Sequence, residues 1–309
     1  MRFRRLFFVL CASAFIGSGA SQADILQTEV LKGKADGFKA SGSQQVLING
    51  RPAEDGEFPG LVRIFSGSGS CSAQVTGKNS LSTAAHCIPA DKKVNFQLNG
   101  EQFVANCITG DQRALDVAVC RLDKEISGIK YITVAGPQFA AYAAKKNQTV
   151  VKSGYGCITI DGTGGNDGIL RIGSSTVVQE FWKDGKTKRE QYFETQGVST
   201  VCYGDSGGAV LAAMKDTKSE RHVLVGINSR VYTNAQGRIV NRDILVDVAG
   251  PSAQQFYQNV IATNPGLEIC GVNVQCDTGA LPEAPGGSGS GGANQCKDAL
   301  KNAVEKCGG

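Results

Sequence analysis

The sequence predicts an all-β protein, built as antiparallel barrels or a sandwich and followed by a single helix. Three observations carry this expectation. Between residues 47 and 248, short β-rich runs alternate with turns rich in Gly, Asn, Asp and Ser. The 309 residues include 40 glycines and 11 cysteines, with 41% hydrophobic residues. The N-terminus reads as an export signal, which makes a disulfide framework the default use of the cysteines.

Composition excludes several classes. Ordinary hydrophobicity and a net charge of +4 argue against a disordered chain and give no electrostatic footprint for nucleic acid. Beyond the N-terminus, no apolar run reaches the roughly 18 residues that span a bilayer. His86 and His222 are the only histidines and no His-Glu-x-x-His is present, so a zinc hydrolase is not expected. No Cys-x-x-Cys pair occurs, which argues against a structural metal.

The elements follow in chain order. Arg2, Arg4 and Arg5 precede the apolar residues 6–16, and Ser21-Gln22-Ala23 offers small residues for cleavage, so residues 1–23 are expected to be a signal peptide. Its loss would leave a net charge of +1 and ten cysteines in an extracellular or periplasmic protein. Residues 24–46 are polar, contain glycine and show no period, which reads as a propeptide. Strands are expected at 61–65, 81–85, 94–98, 117–122, 150–155, 176–181, 209–213, 223–228 and 239–246. Residues 251–264 read as a helix, with Pro251 at its start and Phe256, Tyr257, Val260 and Ile261 on one face; Asn264-Pro265-Gly266 stops it. Residues 282–292 form a Pro/Gly/Ser linker to a short tail carrying Cys296 and Cys307. In a straight helix these two would stand about 16 Å apart, beyond the roughly 7 Å a disulfide tolerates. They pair with each other only if the tail folds back, and otherwise reach Cys270, Cys276 or a second chain. The tail reads either as a docking segment for a partner or surface, or as a disulfide clip.

Three local patterns carry chemistry. Thr83-Ala84-Ala85-His86-Cys87 places a histidine after a short strand, Asp116-Val117-Ala118-Val119 places an acid at the head of an apolar strand, and Gly204-Asp205-Ser206-Gly207-Gly208 sets a serine among glycines. A serine hydroxyl needs a neighbouring base, which histidine supplies at neutral pH, and a buried carboxylate fixes the imidazole tautomer. Glycines allow backbone N–H groups to converge on a developing oxyanion. Asp111 is the rival acid, but it lacks the strand that follows Asp116 directly. His222 lies amid Lys218-Ser219-Glu220-Arg221 and reads as part of a solvated loop.

These motifs, in the order His, Asp, Ser, resemble the trypsin/chymotrypsin family of serine proteases. Leu47-Ile48-Asn49-Gly50-Arg51-Pro52-Ala53 and Gly56-Glu57-Phe58-Pro59 are similar to the mature N-terminus of that family. Gly154-Tyr155-Gly156 is similar to its Gly-aromatic-Gly near the oxyanion hole, and Val225-Gly226-Ile227-Asn228-Ser229 to the strand on which substrate backbone docks. The resemblance covers about residues 47–264. It implies two antiparallel six-stranded β-barrels packed face to face with a C-terminal α-helix: an N-terminal barrel at 47–136, a C-terminal barrel and helix at 137–264, and a cysteine-containing tail at 265–309.

By the same resemblance, His86 is base and then acid, Asp116 orients it and Ser206 is the nucleophile, with an oxyanion hole from the N–H groups of Gly204 and Ser206. Acyl-enzyme chemistry of this kind uses no metal or cofactor, and its partners are protein or peptide substrates. Zymogen cleavage between Val46 and Leu47 would let the Leu47 amine meet Asp205. At the pocket, Thr200 replaces the aspartate of trypsin-like enzymes, Val231 replaces a wall glycine and Arg230 replaces a tryptophan. With Ser229 on the docking strand, this implies cleavage after small or medium apolar residues. Cys71–Cys87 resembles the disulfide that closes the histidine loop of the family, but the set otherwise departs from it. No cysteine lies between Ser206 and Cys270 to take Cys202, so Cys157, which also borders the oxyanion region, is the expected partner. Cys107–Cys120 is expected to brace the hairpin around Asp116, and the last four cysteines stay open. Two competitors are a catalytically inactive protease-like binding module, against which the intact motifs count, and an esterase, whose histidine would come last in the chain.

Overall fold

The computed structural model describes residues 47–66, 69–136, 144–165, 167–179, 191–215 and 220–276. The expected signal peptide, propeptide, linker and distal tail lie outside these residues. Among the described residues, no helix is long and apolar enough to cross a membrane.

The first barrel is built from β2 (Leu61–Ser66), β3 (Gly69–Gly77), β4 (Ser80–Thr83), β5 (Lys93–Leu98), β6 (Glu101–Thr109) and β7 (Ala118–Leu122). They close in the order β2-β3-β4-β7-β6-β5, all antiparallel. Period-two patterning sets the faces: in β5, Val94 and Phe96 are buried while Lys93 and Asn95 are exposed. The β5–β6 hairpin turns on Asn99 and Gly100, both at positive φ (50° and 81°), the two-residue turn whose twist matches its strands. Across that hairpin, Phe96 pairs with Phe103 and the rings stack at 5.2 Å. Each such buried ring contributes about 1.5–3 kcal/mol.

The second barrel uses β9 (Thr149–Gly154), β10 (Arg171–Gln179), β11 (Tyr192–Gln196), β12 (Ala209–Lys215), β13 (Glu220–Thr233) and β14 (Ile239–Asp247). Their order is β9-β10-β11-β14-β13-β12, closed by pairing of β12 with β9. Two short strands decorate it. The strand β1 (Arg51–Pro52) lies antiparallel on β10, and β8 (Thr133–Val134) lies parallel to β13. One continuous hydrophobic core runs from the first barrel (Leu61, Ile64, Leu81, Phe96) into the second (Tyr192, Leu211, Leu224, Ile227).

The helix α1 (Pro251–Thr263) starts with Pro251 at its first turn and buries Ala253, Tyr257 and Val260. Phe256 and Ile261 are only partly buried and pack at the edge of the core. The residues after α1 depart from the expected tail. Cys270 N–H donates to Thr76 O (2.7 Å), Ser80 Oγ to Glu268 O (2.6 Å) and Val134 N–H to Cys270 O (2.8 Å). This segment therefore straps the first barrel, with Leu267 and Ile269 in its core, and ends in a Cys270–Cys276 disulfide. Cys71–Cys87, Cys107–Cys120 and Cys157–Cys202 are the other bridges among the described residues. His222 corrects the expected solvated loop. It belongs to β13 and sets its ring edge-on to Phe58 at 5.4 Å.

Candidate active site

His86 sits in a single 3-10 turn, Ala85–Cys87, at the end of β4, and the Cys71–Cys87 bridge ties that turn to β3. Asp116 stands just before β7 and is 1% exposed. Its Oδ1 accepts the His86 backbone N–H (2.9 Å), and its Oδ2 lies 2.7 Å from His86 Nδ1 and accepts the Ser229 hydroxyl (2.6 Å). Burial alone would push this carboxyl up. The His86 ring, its hydrogen bond, the Arg230 charge and the Ser229 hydroxyl together hold it below the usual carboxylate value. A carboxylate only accepts, so Nδ1 carries the proton and Nε2 of the neutral ring is left as the acceptor. Nε2 is buried and makes no hydrogen bond among the described residues, to the Ser206 hydroxyl or to anything else. Asp111 is exposed, its side chain accepting from the Arg113 N–H in a turn.

Ser206 is carried on a turn held by both barrels. Ser72 N–H from β3 donates to Ser206 O (2.8 Å), and Gly207 N–H donates to Asn228 O on β13 (2.8 Å). Gly207, at φ 79°, is obligatory: a Cβ there would stand 2.0 Å from Thr83 Oγ1 and 2.4 Å from Ser72 O. The Ser206 turn thus presses directly on the strand that leads to His86. Gly204 has φ 97°, and neither its N–H nor that of Ser206 finds an acceptor among the described residues. Two donors are therefore left unclaimed on the turn that carries Ser206. Ser72 Oγ locks this geometry, donating to Gly204 O (2.9 Å) and accepting from Tyr155 N–H (3.0 Å).

Asp205 is turned into the protein interior. It is fully buried, and its carboxylate accepts from Gly156 N–H and Cys202 N–H, both at 2.8 Å. Desolvation pushes it up to about 7, although those two donors and Lys152 act in the opposite sense. The residues around Leu47 pack nearby. Leu47 is buried at φ 43°, Ile48 packs with Cys157, Cys202 and Ile239, and Thr200 N–H donates to Ile48 O (2.9 Å).

A cavity of about 20 Å³ opens beside Ser206, walled by Val201, Cys202, Asn228, Ser229, Arg230 and Val231. Thr200 stands behind this wall, 1% exposed, with Oγ1 unpartnered among the described residues. A buried ion pair backs the same segment. Lys152 Nζ bonds Asp243 and Ser199 O (2.8 Å), while Asp243 accepts Val201 N–H (3.1 Å). Burial pushes the Asp243 carboxyl up, against the pull of Lys152. Sequence reading missed Ser72, Tyr192, Lys152 and Asp243, because each acts on a partner far along the chain. Cys71, His86 and Cys87 lie close enough together to suggest a metal site, but the two sulfurs are joined in a disulfide and offer no thiolate.

A buried His–Asp pair on one barrel and a serine among glycines on the other, with Ser72 N–H to Ser206 O joining the two, fit the class of two-barrel serine hydrolases. Residues 47–250 match the family model described as Trypsin, and the chain belongs to that family of serine-protease domains. No curated protein matches the chain.

Proposed function

We propose that the protein is a secreted serine endopeptidase that cleaves after small or medium apolar residues and is made as a zymogen cut between Val46 and Leu47. The observation that carries the reading is the buried Asp116, which holds the proton on His86 Nδ1 and leaves Nε2 free to accept. The Ser206 hydroxyl attacks the substrate carbonyl carbon as its proton passes to His86 Nε2. The tetrahedral oxyanion faces the Gly204 and Ser206 N–H groups, each such donor being worth about 3–4 kcal/mol. His86 then protonates the departing amine, and a water activated by the same ring hydrolyses the ester. In triad enzymes this approach tightens only once substrate is bound, so the open Nε2 is compatible with the role.

The small cavity supports the specificity. Its volume holds about one water molecule, which suits a methyl-sized side chain better than a long or aromatic one. Burial of Leu47, and of Ile48 against Cys157 and Cys202, supports the activation step, since the new amine would arise close to the segment that carries Asp205. A peptide library digested by purified protein, with a Ser206→Ala control, tests the reading. Hydrolysis after Ala or Val that disappears in the control is expected, and faster hydrolysis after Lys or Arg would overturn the specificity. N-terminal sequencing of active enzyme should begin at Leu47.

A further inference from the structure

The cationic residue beside the cavity has a role that neither pocket size nor triad chemistry supplies. Arg230 follows Ser229 on β13 and is only partly exposed. Its side chain turns toward the segment that precedes Asp116. Nη2 donates to Gln112 O (3.2 Å), and Gln112 Nε2 in turn donates to Ala85 O (3.2 Å), next to His86. The guanidinium lies 5.3 Å from the centroid of the buried Tyr192 ring. Arg230 therefore spans the space between the cavity and the His86–Asp116 pair.

The guanidinium is under-partnered. Nη1 is buried with no hydrogen-bond acceptor, and among the described residues Arg230 forms no ion pair. Asp116 is close enough for its carboxyl to feel the charge, but its oxygens are already engaged by His86 and Ser229. The other well-buried cationic side chains have a carboxylate partner, Lys152 in Asp243 and Arg171 in Asp167, although Arg171 Nε too is left without an acceptor. A planar guanidinium with one face against an aromatic ring and an unsatisfied donor is suited to a carboxylate, which accepts from two N–H groups at once.

We propose that Arg230 is a specificity-determining residue that selects an acidic side chain, Asp or Glu, at the substrate position immediately before the residue held in the cavity. The proposal rests on the endopeptidase reading for its substrate. The ligand class follows from the guanidinium alone, and the position from its place between the cavity and His86. A peptide whose cleaved residue fills the small cavity would bring its preceding side chain over Arg230. Because Nη1 is buried here, the Arg230 side chain would swing outward on binding, and the carboxylate would then supply the acceptor that Nη1 lacks.

Matched peptides with Ala at the cleaved position and Glu, Gln or Lys before it test this, used against the wild type and against Arg230→Met, Arg230→Lys and Arg230→Glu. The wild type should favour Glu over Gln by about tenfold in kcat/KM. The ratio should collapse toward one in Arg230→Met, persist in part in Arg230→Lys, and give way to a preference for Lys peptides in Arg230→Glu. A wild-type ratio within about twofold of one, or a ratio unchanged in Arg230→Met, overturns the proposal. Binding of the same peptides to Ser206→Ala, followed by fluorescence anisotropy, separates the two readings. Glu-selective, Arg230-dependent binding without hydrolysis by the wild type would sink the protease and keep the acid site. Hydrolysis with no acid preference would do the reverse.

Discussion

Asp116 is a carboxylate with almost no freedom. At 1% exposure it accepts from the His86 backbone, the His86 ring and the Ser229 hydroxyl, while its own N–H donates to Tyr192 Oη at 3.1 Å. Removing the charge while keeping the shape is therefore the sharpest test of its role. In Asp116→Asn the amide would offer Nδ1 a donor and turn the imidazole to the wrong tautomer. The expected loss in kcat is about 10⁴-fold, the size of that effect in triad enzymes, with little change in melting temperature. Ser229→Ala removes one charge-assisted hydrogen bond from the same carboxylate. It should cost about 1.5–3 kcal/mol of stability by urea unfolding. It should also lower kcat more than it raises KM, since the bond acts on His86 through Asp116.

Strands and turns were legible in the sequence to the extent that their signals are local. The runs at 94–98 and 239–246 match β5 and β14 within a residue because alternation or strong apolarity marks them. The helix at 251–264 matches α1 because Pro251 and the Asn-Pro-Gly stop bracket it. The strands β3, β6 and β11 went unread: β3 and β11 carry serines, threonines and other polar residues into buried positions, and β6 masks its inward-facing Phe103, Ala105 and Cys107 with the apolar outward residues Val104 and Ile108. The Asn99-Gly100 turn was the available sign of β6, being the strongest short-range hairpin signal a sequence carries. Lys152 shows the other limit. Within β9 it shares the inward face of Val150, but nothing nearby reveals Asp243, which lies 91 residues further on. Lys152→Met should strand a buried carboxylate and cost about 3–5 kcal/mol in urea unfolding, whereas Lys152→Met with Asp243→Leu should recover most of it. The single variant should also raise KM, because the pair holds Ser199 O and Val201 N–H behind the cavity wall.

At the scale of the whole molecule, the site exists only because two barrels meet. His86 and Asp116 come from the first and Ser206 and Ser229 from the second, with Ser72 N–H to Ser206 O joining them across 134 positions of sequence. The three chemical motifs were legible because each is local; the cross-barrel bonds were not, since Ser72 is an ordinary serine until the fold brings it to Gly204. Asp205 adds a pH dependence to this assembly. Its carboxyl moves from an ordinary 3.8 to about 7 on folding, chiefly through desolvation. Between those values the folded chain binds a proton that the unfolded chain has lost, so stability falls as pH rises and the penalty is complete above about 7. The shift corresponds to a penalty on the order of 4 kcal/mol. Urea unfolding of Ser206→Ala, in which the proposed nucleophile is absent, should therefore lose stability from pH 4.5 to pH 8. Adding Asp205→Asn should remove most of that slope, and what remains would belong to groups such as Asp243. A chain processed to begin at Leu47 should also show a shallower slope, because a buried amine beside Asp205 would stabilise the ionised form. Equal slopes with and without Asp205 would show that its carboxyl does not titrate in this range, and equal slopes before and after processing would separate the Leu47 amine from Asp205.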